Sequence, residues 1–572
     1  MTKNEPLSQG QTTQAHGQRQ QPRRGMRMRV RGSMRALVSD ARAAFAVPAV
    51  WLGLFGSVLI VVGSFTPASL PPDSELPYFI GLGLLQTGVG RAVAAAAVLL
   101  GMASLLLAWV AMRPGRHGVR GGVPRATWWL WSLPMLVAPP LFSRDAYSYA
   151  AQGLLVSRGM DPYSTGPISV PGPFADQVDP MWLFTSAPYG PLALRTQQLV
   201  VELSFDNAYF AAVAMRVPAF MSMALIAALL PRMTERVGVS VEPARWIGIA
   251  NPLILIHLVG GAHNDAMAIA LIVAAMLLAF DGRFWFSSFT IAAAAGYKQT
   301  ALLAMVALAG YLARRAVVAR RIREISDGTP SCEERAAIEA NRHEPTGPVR
   351  GAPHDPGTPG MVEYIRVAAA VGTASIGLFA LITFVCGLGW GWVESLSVPL
   401  MARSILSPST VVGSIGQIIM LGLGSSAETA QIPLDTARAC GMAIMAIGLI
   451  WTTLWLAPRR PTLSVVTAFV IFVACGSVVH AWYMIPVFVL LGLVPFSERT
   501  YTVAMWVIAV LGVYAAFDSA LGNGSITIAV TLVAALVLRM RARGVLPLPA
   551  NLRARLAGQH RHAHIEQSQK VG

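Results

Sequence analysis

The stretch "FSRDAYSYAAQG", residues 142–153, sets an arginine, an aspartate and two tyrosines directly behind the apolar run 128–142, "WWLWSLPMLVAPPLF". The run reads as membrane, which raises the question of why charges follow it at once. Composition answers the first half. The chain is 54% hydrophobic and only 13% charged, more oil than an ordinary soluble core needs. Apolar runs recur near 45–66, 91–112, 128–142, 208–230, 246–260, 264–280, 284–295, 301–313, 364–386, 435–457, 462–480, 483–496, 501–517 and 526–538. Since about 20 apolar residues cross a bilayer, these predict an all-α polytopic transmembrane bundle of about 12–14 spans, counting the short ones. Runs 284–295 and 301–313, flanking "GYKQT", are short enough to be a broken or re-entrant pair.

Net charge is +16, and by size alone that admits nucleic acid as a partner. Its distribution argues otherwise. Arginines crowd 19–35, 113–125, 313–323 and 538–544, each beside an apolar run, with no aromatic interleaving for base stacking. That is the positive-inside pattern of cytoplasmic loops, so membrane lipids rather than nucleic acid are the expected partners, in the plasma membrane. Arg23 and Arg24 mimic a twin-arginine export signal, but no cleavage site follows and the first helix is expected to be retained. Cys332, Cys386, Cys440 and Cys475 have neither disulfide-framework nor zinc-ligand spacing.

The expected organisation is a basic, disordered cytoplasmic tail at 1–43, a transmembrane domain at 44–545 and a second basic cytoplasmic tail at 546–572. Within the domain, 314–363 is a cytoplasmic loop rich in Pro, Gly and charge, and 143–207 is a large outer loop. With both termini inside, alternation sends 67–90, 143–207, 387–434 and 518–525 to the outer face. The short turns "GGAHNDA" (260–266), "YKQT" (297–300) and "HAWY" (480–483) fall on the same side. Polar residues far apart in sequence therefore collect at one leaflet, where ionisable groups are costly and mark a pathway or an active site.

The set contains carboxylates Asp145, Asp161, Asp179 and Asp265, cations Arg144, Lys298 and Arg403, and histidines His257, His263 and His480. With them come Tyr147, Tyr149, Tyr163, Tyr189, Trp482 and Tyr483. Carboxylate, cation and aromatic ring together suit a sugar and a phosphate: a base for an attacking hydroxyl, positive charge for a leaving phosphate, rings to stack on a pyranose. Plainer readings stand beside these. Asp145 or Ser143 also suits a cap for the helix that follows, and Asn264 or Asp265 a cap for the next apolar run. Asp161 in "DPY" is a common turn starter, "APYGPL" (187–192) a rigid loop, His257 a core histidine, and the cations near helix ends can snorkel. Arg216 lies inside a span and needs a carboxylate or carbonyl partner.

"LFSRDAYSYAAQG" followed by "GMDPYSTGP" (159–167), "APYGPL" and then "HND" (263–265) resembles the actinobacterial polyprenol-phosphomannose-dependent alpha-1,6-mannosyltransferases, over roughly 45–540. The resemblance implies a membrane glycosyltransferase of the C-type fold, whose large first outer loop carries an acidic catalytic residue. It implies an inverting transfer of mannose from polyprenyl-phosphate mannose to a lipid-anchored alpha-1,6-mannan acceptor, in lipomannan and lipoarabinomannan core synthesis, at the outer face. No nucleotide pocket is then needed, and the sequence has no G-x-x-x-x-G-K-[ST] loop. On this reading Asp145 is the base, with Asp265 the rival. Arg144, Lys298, Arg403 and His480 take the donor phosphate. Tyr147, Tyr149, Asp161, Tyr163, Tyr189, His263, Asn264, Asp265, Trp482 and Tyr483 contact sugar or acceptor. No cofactor is required by the sequence, no metal ligands are assigned, and C-type enzymes differ on divalent cations. A C-type transferase using another lipid-linked sugar or acceptor is the nearest alternative; a secondary transporter or flippase would show repeated halves, which are not seen.

Overall fold

The computed structural model describes residues 35–66, 69–71, 74–115, 122–325, 357–397, 403–495, 497–521 and 531. The apolar run 526–538, the tail 546–572, most of the tail 1–43 and most of the loop 314–363 lie outside them. The described residues form helices joined by turns, without a strand, and the protein is an all-α polytopic membrane protein.

Six helices are individually long and apolar enough to cross a membrane: Gly88–Ala111, Ala208–Val237, Gln299–Arg321, Met361–Cys386, Ala427–Leu456 and Glu498–Ala520. Two bent pairs, Arg35–Phe45 with Pro48–Gly63 and Pro252–Gly260 with Asp265–Phe280, raise this to eight. Other expected runs fall in shorter apolar helices, among them Phe284–Tyr297, Pro461–Cys475 and Ala481–Leu491, because Gly, Pro and polar breaks cut the hydrophobic stretches. The break foreseen near "GYKQT" occurs at Lys298, whose extended backbone (φ −149°, ψ 118°) separates Phe284–Tyr297 from Gln299–Ala304.

Small residues let the helices approach. Gly56 of Pro48–Gly63 faces Gly101 of Gly88–Ala111 so closely that a Cβ on either would lie 2.6 Å from the other's carbonyl oxygen. In lipid, where burial of apolar surface gives little drive, such close van der Waals packing is what joins helices. Towards one end of the core Trp109 and Trp246 stack at 4.3 Å, each indole N–H donating to the other's carbonyl at 2.7 and 2.9 Å. These paired bonds satisfy two buried donors that apolar surroundings would otherwise leave unpaired. At the other end, residues 143–207 fold into short helices, chiefly Asp145–Ser157 and Pro191–Leu203, which pack on each other and roof the bundle.

Candidate active site

Under that roof two chain segments turn in the same way. Phe142 (φ 57°) and Ala262 (φ 55°) each adopt the left-handed conformation, rare for residues with a side chain, and each stands three residues before an aspartate that opens a helix: Asp145 of Asp145–Ser157 and Asp265 of Asp265–Phe280. The second turn sits in a 116° bend between Pro252–Gly260 and Asp265–Phe280. One side chain holds both. The buried Arg216 donates to the carbonyls of Ala138 and Pro139 on one segment and of Val259 and Gly260 on the other, the last at 2.8 Å from Nη2. The Leu141 N–H donates to the Gly260 carbonyl at 3.0 Å, tying the segments directly. The guanidinium's planar fork matches such a cluster of acceptors, and carbonyl dipoles offset the cost of burying it.

The two aspartates differ electrostatically. Asp265 is gripped by Lys298, whose Nζ donates to its two oxygens at 2.6 and 2.7 Å while lying 4.6 Å above the Tyr483 ring. Among the described residues no lysine or arginine pairs with Asp145; its nearest basic atom is His263 Nδ1, 3.6 Å from Oδ2, beyond hydrogen-bonding distance. Burial raises the Asp145 pKa to about 6, against smaller lowering effects from Ser143 and Lys298. Neither aspartate caps its helix, for no side-chain capping bond forms at Arg144 or Asn264; the Ser143 hydroxyl instead accepts from the Asp145 N–H at 3.1 Å.

Aromatic rings wall the rest. Trp482 lies between His263 (4.3 Å) and His480 (4.4 Å, nearly parallel). The Tyr189 hydroxyl donates to Tyr149 Oη at 3.4 Å, which meets His263 Nδ1 at 3.3 Å. Gly190 seats the "APYGPL" turn on the end of Phe284–Tyr297, where any Cβ would collide with the Gly296 carbonyl, and so delivers Tyr189 opposite Lys298. A cavity of about 360 Å³ opens between these groups. Asp145, Asp265, Lys298 and His480 are its ionisable lining; Met442, Met445, Phe469 and Phe472, from the helices Ala427–Trp451 and Pro461–Cys475, are part of its apolar lining.

The arrangement sets a half-buried carboxylate without a lysine or arginine partner near a lysine and aromatic rings, beside apolar side chains. Residues 50–314 fit the family model described as alpha-(1->6)-mannopyranosyltransferase, N-terminal domain. The alpha-(1->6)-mannopyranosyltransferase A of Mycobacterium tuberculosis is 30% identical over 73% of this chain and 73% of its own. The chain belongs to this family. The Corynebacterium glutamicum alpha-(1->6)-mannopyranosyltransferases A and B are 26% and 27% identical, over 82% and 76% of this chain and 91% and 71% of theirs. No solved structure gives a significant match.

In this mannosyltransferase the cavity gathers Asp145, Tyr189, Asp265, Lys298, His480, Trp482 and Tyr483 from the residues singled out in the sequence, with His263 and Tyr149 just behind them. Others stand apart. Arg403 is exposed and hydrogen-bonded to the side-chain amides of Gln417 (2.8 Å) and Gln431 (3.4 Å), outside the cavity, because those two helices offer it neutral oxygen partners. Arg144 rests over the Tyr147 ring and donates to the Gln177 carbonyl, and Tyr147 donates to the Ser69 carbonyl, so these two brace the roof. Asp161 accepts from the Tyr163 N–H at 2.9 Å in a local turn, and Tyr163 donates to the Tyr189 carbonyl at 3.1 Å, supporting Tyr189 from behind. Asn264 is half-buried, its Nδ2 buried and unpaired. His257 is buried in the core beside Trp482. Sequence reasoning missed Trp182, Gln299 and Thr300 as lining residues, and the apolar lining as a whole. Met442 with Met445 and Phe469 with Phe472 are i, i+3 pairs, a spacing that lipid-facing helices share. Among the described residues no three His, Cys, Asp or Glu side chains group to hold a metal ion.

Proposed function

We propose that the enzyme transfers mannose, with inversion, from a polyprenyl-phosphate donor to the 6-hydroxyl of a mannose on a lipid-anchored alpha-1,6-mannan, at the outer face of the plasma membrane. The observation that carries this is the mixed lining of the cavity: ions and aromatic rings together with Met442, Met445, Phe469 and Phe472 suit a substrate whose sugar phosphate is attached to a long hydrocarbon. Asp145 takes the proton of the acceptor hydroxyl as its oxygen attacks the anomeric carbon. The bond from that carbon to the phosphate oxygen breaks, and the electron pair leaves with the polyprenyl phosphate. Asp145 is better placed than Asp265 for this, since both Asp265 oxygens already accept from Lys298, whereas Asp145 has no such partner and a pKa near 6 makes it an effective base that is still ionised at neutral pH. Lys298 and a His480 N–H face the leaving phosphate, and Tyr189, Trp482 and Tyr483 give ring faces to the sugars.

The test is transfer of labelled mannose from synthetic polyprenyl-phosphomannose to a short alpha-1,6-mannoside by the purified protein. Transfer from this donor and none from a nucleotide sugar is the expected result. Activity with the nucleotide sugar alone, in the absence of enzymes that make lipid-linked mannose, overturns the donor assignment.

A further inference from the structure

A second cavity, of about 500 Å³, lies at the far end of the molecule from the candidate active site. Helix Arg216–Val237 links the two regions: Arg216, at its start, holds the turns before the aspartates, and Arg232, sixteen residues on, lines this second cavity. At 1.5 Å per residue the separation is about 24 Å, close to the thickness of a bilayer's hydrocarbon core.

Its walls combine three features. The first is charge. Arg125, Arg232 and Arg245 line it, and among the described residues none of the three makes a hydrogen bond or an ion pair. Burial and then the neighbouring Arg125 pull the Arg245 pKa down, against Glu242 and Asp40, which raise it. One carboxylate, Asp40, also lines the cavity; three positive charges against one leave an excess of two. The second is a pair of indoles, Trp128 and Trp129, each partly buried against the core, in the position that amphipathic rings take at a membrane surface. The third is the helix Arg35–Phe45, which contributes Leu37 and Asp40 and is bent by 95° from Pro48–Gly63. If the second helix crosses the bilayer, the first runs along its surface, with Leu37 and Val38 exposed at 55% and 48%.

From this we infer that the cavity is a binding site for the phosphate headgroup of an anionic phospholipid in the leaflet opposite the candidate active site. Three guanidinium groups without a protein partner line one space, two of them exposed where a headgroup can reach them, and their planar forks fit phosphate oxygens. The indoles and Leu37 flank the glycerol and the first methylenes of the acyl chains.

The experiment is a lipid titration of the full chain in neutral detergent, read by native mass spectrometry. Phosphatidylglycerol is expected to give retained adducts at concentrations where phosphatidylcholine gives none. Replacing Arg125→Gln, Arg232→Gln and Arg245→Gln together is expected to weaken phosphatidylglycerol binding at least tenfold. The control is Arg236→Gln, which removes a charge on the same helix whose side chain already pairs with Asp281 at 3.3 Å; binding should be unchanged. Because the triple variant relieves repulsion among unpaired cations, it is expected to fold, and its mannosyl transfer in detergent, carried out at the other end, reports that it has. Equal binding by wild type and a transfer-competent triple variant overturns the site. So does equal weakening by Arg236→Gln, which would mean diffuse surface charge. Displacement of the lipid by inorganic phosphate at the lipid's own concentration also overturns it, since the site would then be one for free phosphate.

Discussion

At the scale of single residues, the contrast between the two aspartates carries the chemistry. Asp145→Asn keeps shape and hydrogen bonding but cannot accept a proton, and kcat is expected to fall about 10²–10⁴-fold, the usual contribution of a general base. With the carboxyl at about 6, protonation below that pH removes the base, so kcat/KM should rise with pH through an acid limb near 6 in wild type and lose that limb in the variant. An unchanged limb would assign the ionisation elsewhere. The Asp265–Lys298 pair calls for a different experiment, because breaking a buried pair leaves an uncompensated charge at a cost of about 3–5 kcal/mol. Asp265→Asn or Lys298→Met alone should lower the thermal midpoint markedly, and the double variant should recover most of it without recovering mannosyl transfer. A double variant as active as wild type would remove Lys298 from the reaction. The sequence showed that Lys298 could not stand alone at membrane depth, and phosphate was the partner expected; the carboxylate 33 residues earlier was not legible, since both groups had been placed at the same leaflet with no indication of which turns touch.

At the scale of elements, the two aspartate turns are one device built twice. Left-handed Phe142 and Ala262 aim the first residues of two helices into one cavity, and the strain of those conformations is held by Arg216 and its backbone carbonyls. Arg216→Lys keeps the charge but loses the fork, so it should let the two turns drift. A displacement of about 1 Å costs on the order of 10²-fold in rate, and the loss is expected in kcat, with KM little changed and the acid limb still near 6. If Arg216 only holds the fold together, the variant will instead yield less folded protein with normal turnover per molecule. From the sequence Arg216 was visibly in need of a partner, yet a set of main-chain oxygens carries no residue signature, and positive φ at Phe and Ala follows no local propensity. The broken helix at Lys298 was readable, because two short apolar runs around a charge leave little else.

At the scale of the whole molecule, hydropathy made the class legible, while the span count depended on breaks that composition records poorly; arginine placement supplies an expected orientation that labelling can test. Runs such as 284–295 and 462–480 are apolar enough to suggest membrane, but Phe284–Tyr297 and Pro461–Cys475 have 14 and 15 residues, short of the usual crossing length. Orientation remains the most consequential property to measure, for a lipid-linked donor on the outer face and a nucleotide sugar on the inner face imply opposite sidedness for the same cavity. Two exposed serines mark its two ends: Ser164 in the roof, and Ser240 just beyond helix Arg216–Val237 on the side of the arginine cavity. In a chain whose four cysteines are replaced by alanine, Ser164→Cys should react with a membrane-impermeant maleimide in intact cells, and Ser240→Cys only after the membrane is opened. The arginine distribution is the basis of this expectation, because Arg113, Arg125, Arg232 and Arg245 lie towards the Ser240 end, whereas 143–207 holds only Arg144, Arg158 and Arg195 in a far longer stretch. The reverse labelling pattern would turn the cavity towards the cytoplasm, where nucleotide sugars are made, and the case for a polyprenyl-phosphate donor would then rest on the apolar lining alone.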